Sequence, residues 1–124
     1  MPDDPIRILI ADDNAQVRYG LRVLIELYED FHLLGEAQNG HEAVDLCQQL
    51  QPDLVLMDLV MPQMDGVTAT RAIRQCCPQI KIIVLTSAIE YNLIDEAMSA
   101  GAHAYFLKNL NIDALADAIR SAVL

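Results

Sequence analysis

Basic residues are scarce in this sequence. It contains 8 lysines and arginines against 18 aspartates and glutamates, which gives a formal net charge of −10 at pH 7. Proteins bind a nucleic-acid backbone by neutralising its phosphates with lysine and arginine. Because an acidic surface repels such polyanions, we expect the chain to bind neither nucleic acid nor an anionic membrane directly.

Long apolar runs and patterned cysteines are also missing. No apolar run reaches the roughly 18 residues of a membrane-spanning helix. The N-terminus, Met1-Pro2-Asp3-Asp4, is acidic where a secretory signal peptide is basic. Cys47, Cys76 and Cys77 show no CxxC motif and no Cys/His spacing typical of a metal site. These absences predict a cytoplasmic protein with reduced thiols.

Two nucleotide-binding motifs, GxxxxGK[ST] and GxGxxG, are absent. The chain has 124 residues, of which 53% are hydrophobic and 21% are charged. This composition is typical of a globular protein rather than a disordered one. The length suits a single domain, residues 1–124, and excludes a barrel of eight βα units, which needs about 250 residues.

Apolar segments rich in isoleucine, valine and leucine recur at even spacing. Several of them are apolar at consecutive positions, which is typical of strands buried on both faces of a parallel sheet. The five predicted strands are Ile6–Ala11, Phe31–Leu34, Leu54–Met57, Ile80–Leu85 and Ala104–Leu107.

Segments with helical periodicity separate these strands and follow the last of them. The final segment places Ile112, Leu115, Ile119 and Val123 on one face, which we expect to be buried. Five βα units in succession predict an α/β fold, in which helices cover both faces of a parallel sheet.

Polar residues follow four of the five predicted strands. The first strand is followed by Asp12 and Asp13, the third by Asp58, the fourth by Thr86 and Ser87, and the fifth by Lys108. Ligands of open α/β sheets bind at the carboxyl ends of the strands. Each residue by itself also fits a turn or a helix cap, but their occurrence at one edge of the sheet favours a functional site.

Three carboxylates at one edge repel one another, by about 4 kcal/mol per pair at 4 Å and an effective dielectric near 20. Lys108 supplies one compensating charge. A hard divalent cation supplies more, because Mg²⁺ prefers carboxylate, carbonyl and water oxygens together with a substrate phosphate. A carboxylate in such a site is able to act as a nucleophile and form an aspartyl phosphate.

The motifs at these strand ends resemble a known family, the CheY-like response-regulator receiver domains. The resemblance extends over essentially the whole chain, and a shorter stretch, Gly35 to Gly40, is similar to receivers that precede a LuxR/NarL-type DNA-binding domain. The matching segments read ILIADD at 8–13, LMDLVMPQMDG at 56–66, IIVLT at 82–86 and GAHAYFLK at 101–108.

This resemblance implies a flavodoxin-like sheet with strand order 2-1-3-4-5 and five helices. It implies Asp58 as phosphoacceptor, Thr86 and Lys108 as its partners, and Thr86 with Tyr105 as the conformational switch. The implied cofactor is Mg²⁺, with Mn²⁺ as a substitute. Its implied ligands are Asp13, Asp58 and the backbone carbonyl of Val60, with Asp12 acting through water.

The implied partners are a sensor histidine kinase or phosphotransfer protein and, after phosphorylation, a second copy of the chain. Many members carry a cis proline after the lysine, but here Asn109 follows Lys108 and a trans bond is expected. The chain is either a stand-alone regulator or the N-terminal domain of a longer transcription factor.

Two other functions remain as alternatives. The first is an Mg²⁺-dependent phosphohydrolase of the haloacid-dehalogenase type, which needs an Asp-x-Asp pair on one strand, whereas Leu59 and Val60 follow Asp58. The second is a degenerate receiver that acts only as a binding module. A degenerate receiver would lack the acidic pair Asp12-Asp13, the acceptor Asp58 or the lysine Lys108. All of these residues are present.

Overall fold

Five strands alternate with five helices in the computed structural model of the chain, which describes residues 4–87, 91–109 and 111–124. In chain order the elements are β1 (Ile6–Ala11), α1 (Ala15–Glu26), β2 (Phe31–Ala37), α2 (Gly40–Leu50), β3 (Leu54–Asp58), α3 (Gly66–Cys76), β4 (Lys81–Thr86), α4 (Tyr91–Ala100), β5 (Ala104–Leu107) and α5 (Ile112–Ala122).

The strands form one parallel sheet in the order β2-β1-β3-β4-β5. This confirms the predicted flavodoxin-like α/β fold. Successive residues of a strand face opposite sides of the sheet, so the alternating apolar residues of β1 enter two separate cores. Leu9 packs on the side of α2, α3 and α4, whereas Ile8 and Ile10 pack on the side of α1 and α5.

The bounds of β3 and β4 differ from the predicted ones by one residue, and two differences are larger. Strand β2 continues to Ala37, three residues beyond the predicted end, because Glu36 and Ala37 pair with Ile10 and Ala11. The second difference concerns Ile112, which was expected to be buried and is 47% exposed. Ile112 begins α5, and Leu115 and Ile119 are the residues of the predicted face that are fully buried.

Short polar side chains define the starts of four helices. Asn14, Asn39, Asp65 and Asn111 each accept a hydrogen bond from a backbone N–H in the first turn of the helix that follows. Such caps satisfy N–H groups that have no partner inside the helix. Within the described residues, none of the helices combines the length and the hydrophobicity that crossing a bilayer requires.

Arg120 fastens α5 to the segment between α1 and β2. Its guanidinium donates to both carboxylate oxygens of Asp30, at 2.7 and 3.1 Å. It also lies over the rings of Tyr28 and Phe31, 5.0 and 5.2 Å from their centroids. An arginine that is both paired and stacked loses little freedom in making several contacts, so α5 is held firmly against the segment between α1 and β2.

Two glycines permit close approaches to the loop between β3 and α3. The N–H of Gly40 donates to the carbonyl of Met64 at 3.0 Å, and the N–H of Gly66 donates to that of Leu59 at 2.9 Å. A Cβ at Gly40 would overlap the Met64 carbonyl oxygen, and one at Gly66 would overlap that of Asp58. Both helix starts therefore fix the path of this loop.

The contact at Gly40 predicts opposite effects of alanine at two helical glycines. Gly40→Ala should lower the free energy of unfolding by about 1–3 kcal/mol, because the added methyl group forces backbone apart. Gly20, in α1, has no atom near the position of its missing Cβ. The matched control Gly20→Ala should therefore raise this free energy by about 0.5–1 kcal/mol. Urea unfolding monitored by circular dichroism measures both free energies. A Gly40→Ala protein as stable as the wild type would contradict the packing explanation.

Candidate functional site

The carboxyl ends of β1 and β3 bring three aspartates together. The two strands are neighbours in the sheet, with Ala11 paired to Met57. Asp12 and Asp13 follow Ala11, and Asp58 is the last residue of β3. One carboxylate oxygen from each of the three residues lies within 4.8 Å of the other two. The predicted convergence of carboxylates is therefore present.

Two of these carboxylates are removed from solvent. Asp12 and Asp58 are 1% and 2% exposed, whereas Asp13 is exposed. Charges that are close and poorly hydrated repel one another more strongly than charges in water. The burial thus concentrates negative potential at Asp12 and Asp58 and leaves Asp13 at the opening of the site.

Lys108 provides the positive charge that faces this pair. Its Nζ lies 2.9 Å from Asp58 Oδ1 and 3.5 Å from Asp12 Oδ2. The lysine is placed by its own backbone, because its N–H donates to the carbonyl of Thr86 at 2.8 Å. The end of β5 is in this way joined to the end of β4 beside the site.

The electrostatic environment changes the pKa values of both partners. Burial raises the pKa of Asp58 to about 6, and the charge of Asp12 adds to this effect, while Lys108 partly offsets it. Burial by itself would lower the pKa of Lys108, but pairing with Asp58 and Asp12 outweighs burial and raises it. At neutral pH Asp58 is therefore an anion of unusually high free energy.

Hydrogen bonds from three sides hold Asp12 in place. The N–H of Asp12 donates to Ala37 O at 3.0 Å, and Asp12 Oδ1 accepts from the N–H of Asn14 at 2.9 Å. The carbonyl of Asp12 accepts from Arg18 Nη1 at 2.8 Å. These bonds leave Oδ2 of Asp12 directed toward Lys108 and Asp58.

The donor set fits a hard divalent cation. Asp12 Oδ2 and Asp58 Oδ1 are buried and receive no well-directed hydrogen bond from the part of the chain that the structure describes. Three carboxylates face one ammonium in the site. Such excess negative charge on oxygen atoms is the environment that Mg²⁺ selects, and Mg²⁺ commonly keeps waters and takes one or two carboxylates.

The other predicted site residues lie on the strands or shortly after them. Thr86, the last residue of β4, is fully buried, and Val60 follows β3 with 51% exposure. Tyr105 lies on β5 opposite Val84 and is 49% exposed. The peptide bond between Lys108 and Asn109 is trans, as expected. Beyond Asn109, the β5–α5 loop includes Leu110, which lies outside the described residues.

Sequence reasoning missed Arg18 and Glu36. Arg18 holds the Asp12 carbonyl, and its Nε lies 3.3 Å from Glu36 Oε1. The two residues are far apart in the sequence, and each resembles an ordinary polar residue of a helix or an edge strand. The packing of α1 against β2 brings them together, so no local signal identified them.

A family model described as "Response regulator receiver domain" matches residues 8–120. The chain belongs to this family. The acidic site, Asp12, Asp13 and Asp58, is therefore the phosphorylation site of a two-component receiver. The receiver is a phosphoacceptor signalling module, which decides against the phosphohydrolase alternative, and it implies a cognate histidine kinase.

Relatives and solved structures agree with this assignment. The response regulator protein VraR of Staphylococcus saprophyticus is 40% identical over 116 residues, which are 94% of this chain and 56% of VraR. A LuxR-family two-component response regulator from Aurantimonas sp. SI85-9A1 is 34% identical with a TM-score of 0.89, covering 97% of this chain and 86% of that one. A LuxR-family DNA-binding response regulator from Staphylococcus aureus is 29% identical with a TM-score of 0.89, covering 96% and 99%.

The receiver spans about half the length of the curated relatives it matches. Its acidic triad is typical of the Mg²⁺ site of receivers, in agreement with the charge and donor types described above. The structure-based comparisons extend over nearly the whole receiver, so the fold that positions the triad is common to these proteins.

The raised pKa of Asp58 predicts that Asp58→Asn stabilises the metal-free receiver. In the unfolded chain this carboxyl titrates near 3.8, and in the folded protein near 6. Between these values the folded state binds more protons, so the stability of the wild type falls as the pH rises from about 4 to 6. We expect Asp58→Asn to raise the free energy of unfolding by about 1–3 kcal/mol at pH 7.5 in EDTA, with the gain vanishing toward pH 4.

Urea unfolding at both pH values measures this gain. Asp45→Asn is the matched control, because Asp45 lies exposed on α2, and it should change the stability by less than about 0.5 kcal/mol at either pH. A gain for Asp58→Asn that is equal at pH 4 and pH 7.5 would contradict the electrostatic explanation.

Proposed function

We propose that Asp58 is the phosphoacceptor, and that it takes its phosphoryl group from a phosphohistidine of a sensor histidine kinase or phosphotransfer protein. The observation that supports this choice is its environment. Asp58 ends a central strand, is 2% exposed, and pairs with Lys108 at 2.9 Å. Asp13 is exposed and Asp12 has its Oδ1 engaged by Asn14, so Asp58 is the better nucleophile of the three.

The proposed transfer is an in-line displacement at phosphorus. An oxygen of Asp58 forms the new P–O bond while the P–N bond of the donor breaks, and the electron pair of that bond returns to the imidazole. Lys108 and the hydroxyl of Thr86 hold the oxygens of the transferred group, and water later hydrolyses the acyl phosphate. Preorganised donors of this type stabilise charge that develops during phosphoryl transfer.

The proposed ligands of Mg²⁺ are the carboxylates of Asp13 and Asp58 and the backbone carbonyl of Val60, with Asp12 acting through water. Mn²⁺ has similar ligand preferences and is the proposed substitute. When bound, the ion neutralises negative charge on the phosphoryl oxygens. The hydrogen bonds at Gly40 and Gly66 hold the loop that carries Val60, so its carbonyl is positioned by backbone contacts.

Thr86 and Tyr105 form the proposed switch. The Thr86 hydroxyl moves toward the phosphoryl group on Asp58 and vacates space, and Tyr105 turns inward from its half-exposed position. Two discrete packings of this kind convert a local charge into a change of surface. The surface affected is that of α4, β5 and their neighbours.

We propose that residues 1–124 form one receiver domain and that it acts in the cytoplasm. We also propose that it is part of a transcriptional regulator. The support for the last point is the S. aureus structure, described as a DNA-binding response regulator. With a net charge of −10, the receiver itself should not contact DNA. We further propose that phosphorylated copies pair, because large apolar side chains remain exposed on and just after α1 and also on α4, β5 and α5. They are Tyr19, Val23, Leu27, Met98, Tyr105 and Ile112.

Acetyl phosphate tests the assignment of Asp58. With Mg²⁺, the wild type should gain the mass of one phosphoryl group, and Asp58→Asn should gain none, because the nucleophilic oxygen is replaced by an amide. Intact-mass spectrometry measures the uptake over time. Asp45→Asn, which retains the site, should be modified at the wild-type rate. Uptake by Asp58→Asn at the wild-type rate would disprove the assignment.

Thr86→Ala tests the proposed switch. The variant should still be phosphorylated, but the accompanying chemical-shift changes in α4 and β5 should be strongly reduced, because the hydroxyl that follows the phosphoryl group is missing. Two-dimensional NMR with beryllofluoride as phosphoryl mimic measures these changes. Thr68→Ala, an exposed threonine on α3, is the control. A full response in Thr86→Ala would refute the coupling.

A further inference from the structure

Arg18 joins the acidic loop to the edge strand of the sheet. Its Nη1 donates to the carbonyl of Asp12 at 2.8 Å, and its Nε lies 3.3 Å from Glu36 Oε1. The side chain is only 14% exposed. A guanidinium presents its donors in a rigid planar arrangement, so one side chain fixes the distance between the Asp12 carbonyl and β2.

Glu36 is itself held from a second side. Arg22 donates to both of its carboxylate oxygens, at 2.8 and 3.0 Å, and the pKa of Glu36 is lowered chiefly by this hydrogen bonding. Glu36 pairs with Ile10 in the sheet, so its backbone is fixed as well. The carboxylate is therefore a firm support on which the guanidinium of Arg18 rests.

The bond to the Asp12 carbonyl sets the orientation of a peptide plane. Because the peptide unit is planar, fixing the carbonyl of Asp12 also fixes the direction of the N–H and the position of the Cα of Asp13. The N–H and Oδ1 of Asp12 already have partners in Ala37 and Asn14. The hydrogen bond from Arg18 to the carbonyl is therefore the contact that orients the peptide between Asp12 and Asp13.

We propose that Arg18 is a positioning residue for the metal site, which acts by holding the Asp12–Asp13 peptide so that the Asp13 carboxylate faces Asp58. Glu36 supports Arg18 in this role. The inference rests on the proposed function, because it takes Asp13 as a metal ligand. Partners one step beyond a metal ligand commonly change metal affinity by about 10- to 100-fold.

A purely structural role makes a different prediction. If Arg18 only joined α1 to β2, then Arg22 would be its equivalent, since both are on α1 and both pair with Glu36. Among the described residues, Arg22 contacts Glu36 and the ring of Tyr19 and makes no hydrogen bond to Asp12. Arg22 is therefore the matched control for the loss of an ion pair to Glu36.

The experiment compares Arg18→Met with Arg22→Met in the otherwise unchanged receiver. Methionine keeps much of the apolar stem that arginine packs on its surroundings. Calorimetric titration with Mg²⁺ and with Mn²⁺ gives the affinities, and urea unfolding in EDTA gives the stabilities. We expect Arg18→Met to weaken metal binding about 10-fold. Arg22→Met should weaken it by less than about twofold, because the bond from Arg18 to the Asp12 carbonyl and the strand pairing of Glu36 with Ile10 both remain.

A kinetic readout separates positioning from folding. For phosphorylation by acetyl phosphate, Arg18→Met should need about 10-fold more Mg²⁺ for half-maximal rate, while the rate at saturating Mg²⁺ should approach that of the wild type. If Arg18→Met does not fold, Arg18→Lys replaces it. A single ammonium reaches either the carbonyl or Glu36 but not both, so a smaller shift in the same direction is expected.

Asp13→Asn tests the proposed metal ligand separately from the role of Arg18. If Asp13→Asn binds Mg²⁺ as tightly as the wild type, the proposed metal ligand is wrong. If Asp13→Asn loses affinity but Arg18→Met does not, or if Arg18→Met and Arg22→Met lose it equally, the positioning role of Arg18 is overturned while the metal site stands.

Discussion

Repulsion among the aspartates at the ends of β1 and β3 is the constraint on which this receiver depends. Two of the carboxylates are almost completely buried, and Lys108 compensates only part of their charge. The fold maintains this arrangement because the aspartates are attached to two neighbouring strands in the middle of the sheet. The negative charge that Lys108 leaves uncompensated is of the kind that a divalent cation neutralises, in agreement with the proposed Mg²⁺ site.

The rest of the molecule keeps the site in place. Asn14 and Arg18 hold the loop that carries Asp12 and Asp13, and glycines at the starts of α2 and α3 hold the loop after Asp58. On the opposite side from α2, α3 and α4, Arg120 secures α5 against the segment that joins α1 to β2. The supports come from both faces of the sheet, so neither core by itself determines the geometry of the acidic edge.

Much of the fold was predictable because its signals are local. Consecutive apolar residues identified the buried strands, and the helical periodicity after the last strand identified α5. The site residues Asp12, Asp58 and Lys108 were predictable because parallel strands place their carboxyl ends at one edge. The length of β2, the exposure of Ile112 and the pairing of Arg18 with Glu36 were not, since each depends on which neighbour the tertiary structure supplies.

The hydrogen bond from the Lys108 N–H to the Thr86 carbonyl has a mechanical consequence. It joins the backbone at the end of β5 to the backbone at the end of β4, so that Lys108 and Thr86 are linked directly. Asp58, by contrast, belongs to a strand that is hydrogen-bonded to β1 on one side and to β4 on the other. In the proposed function, the Thr86 hydroxyl and the Lys108 ammonium therefore belong to one linked backbone unit, and a movement of either residue toward Asp58 is transmitted to the other.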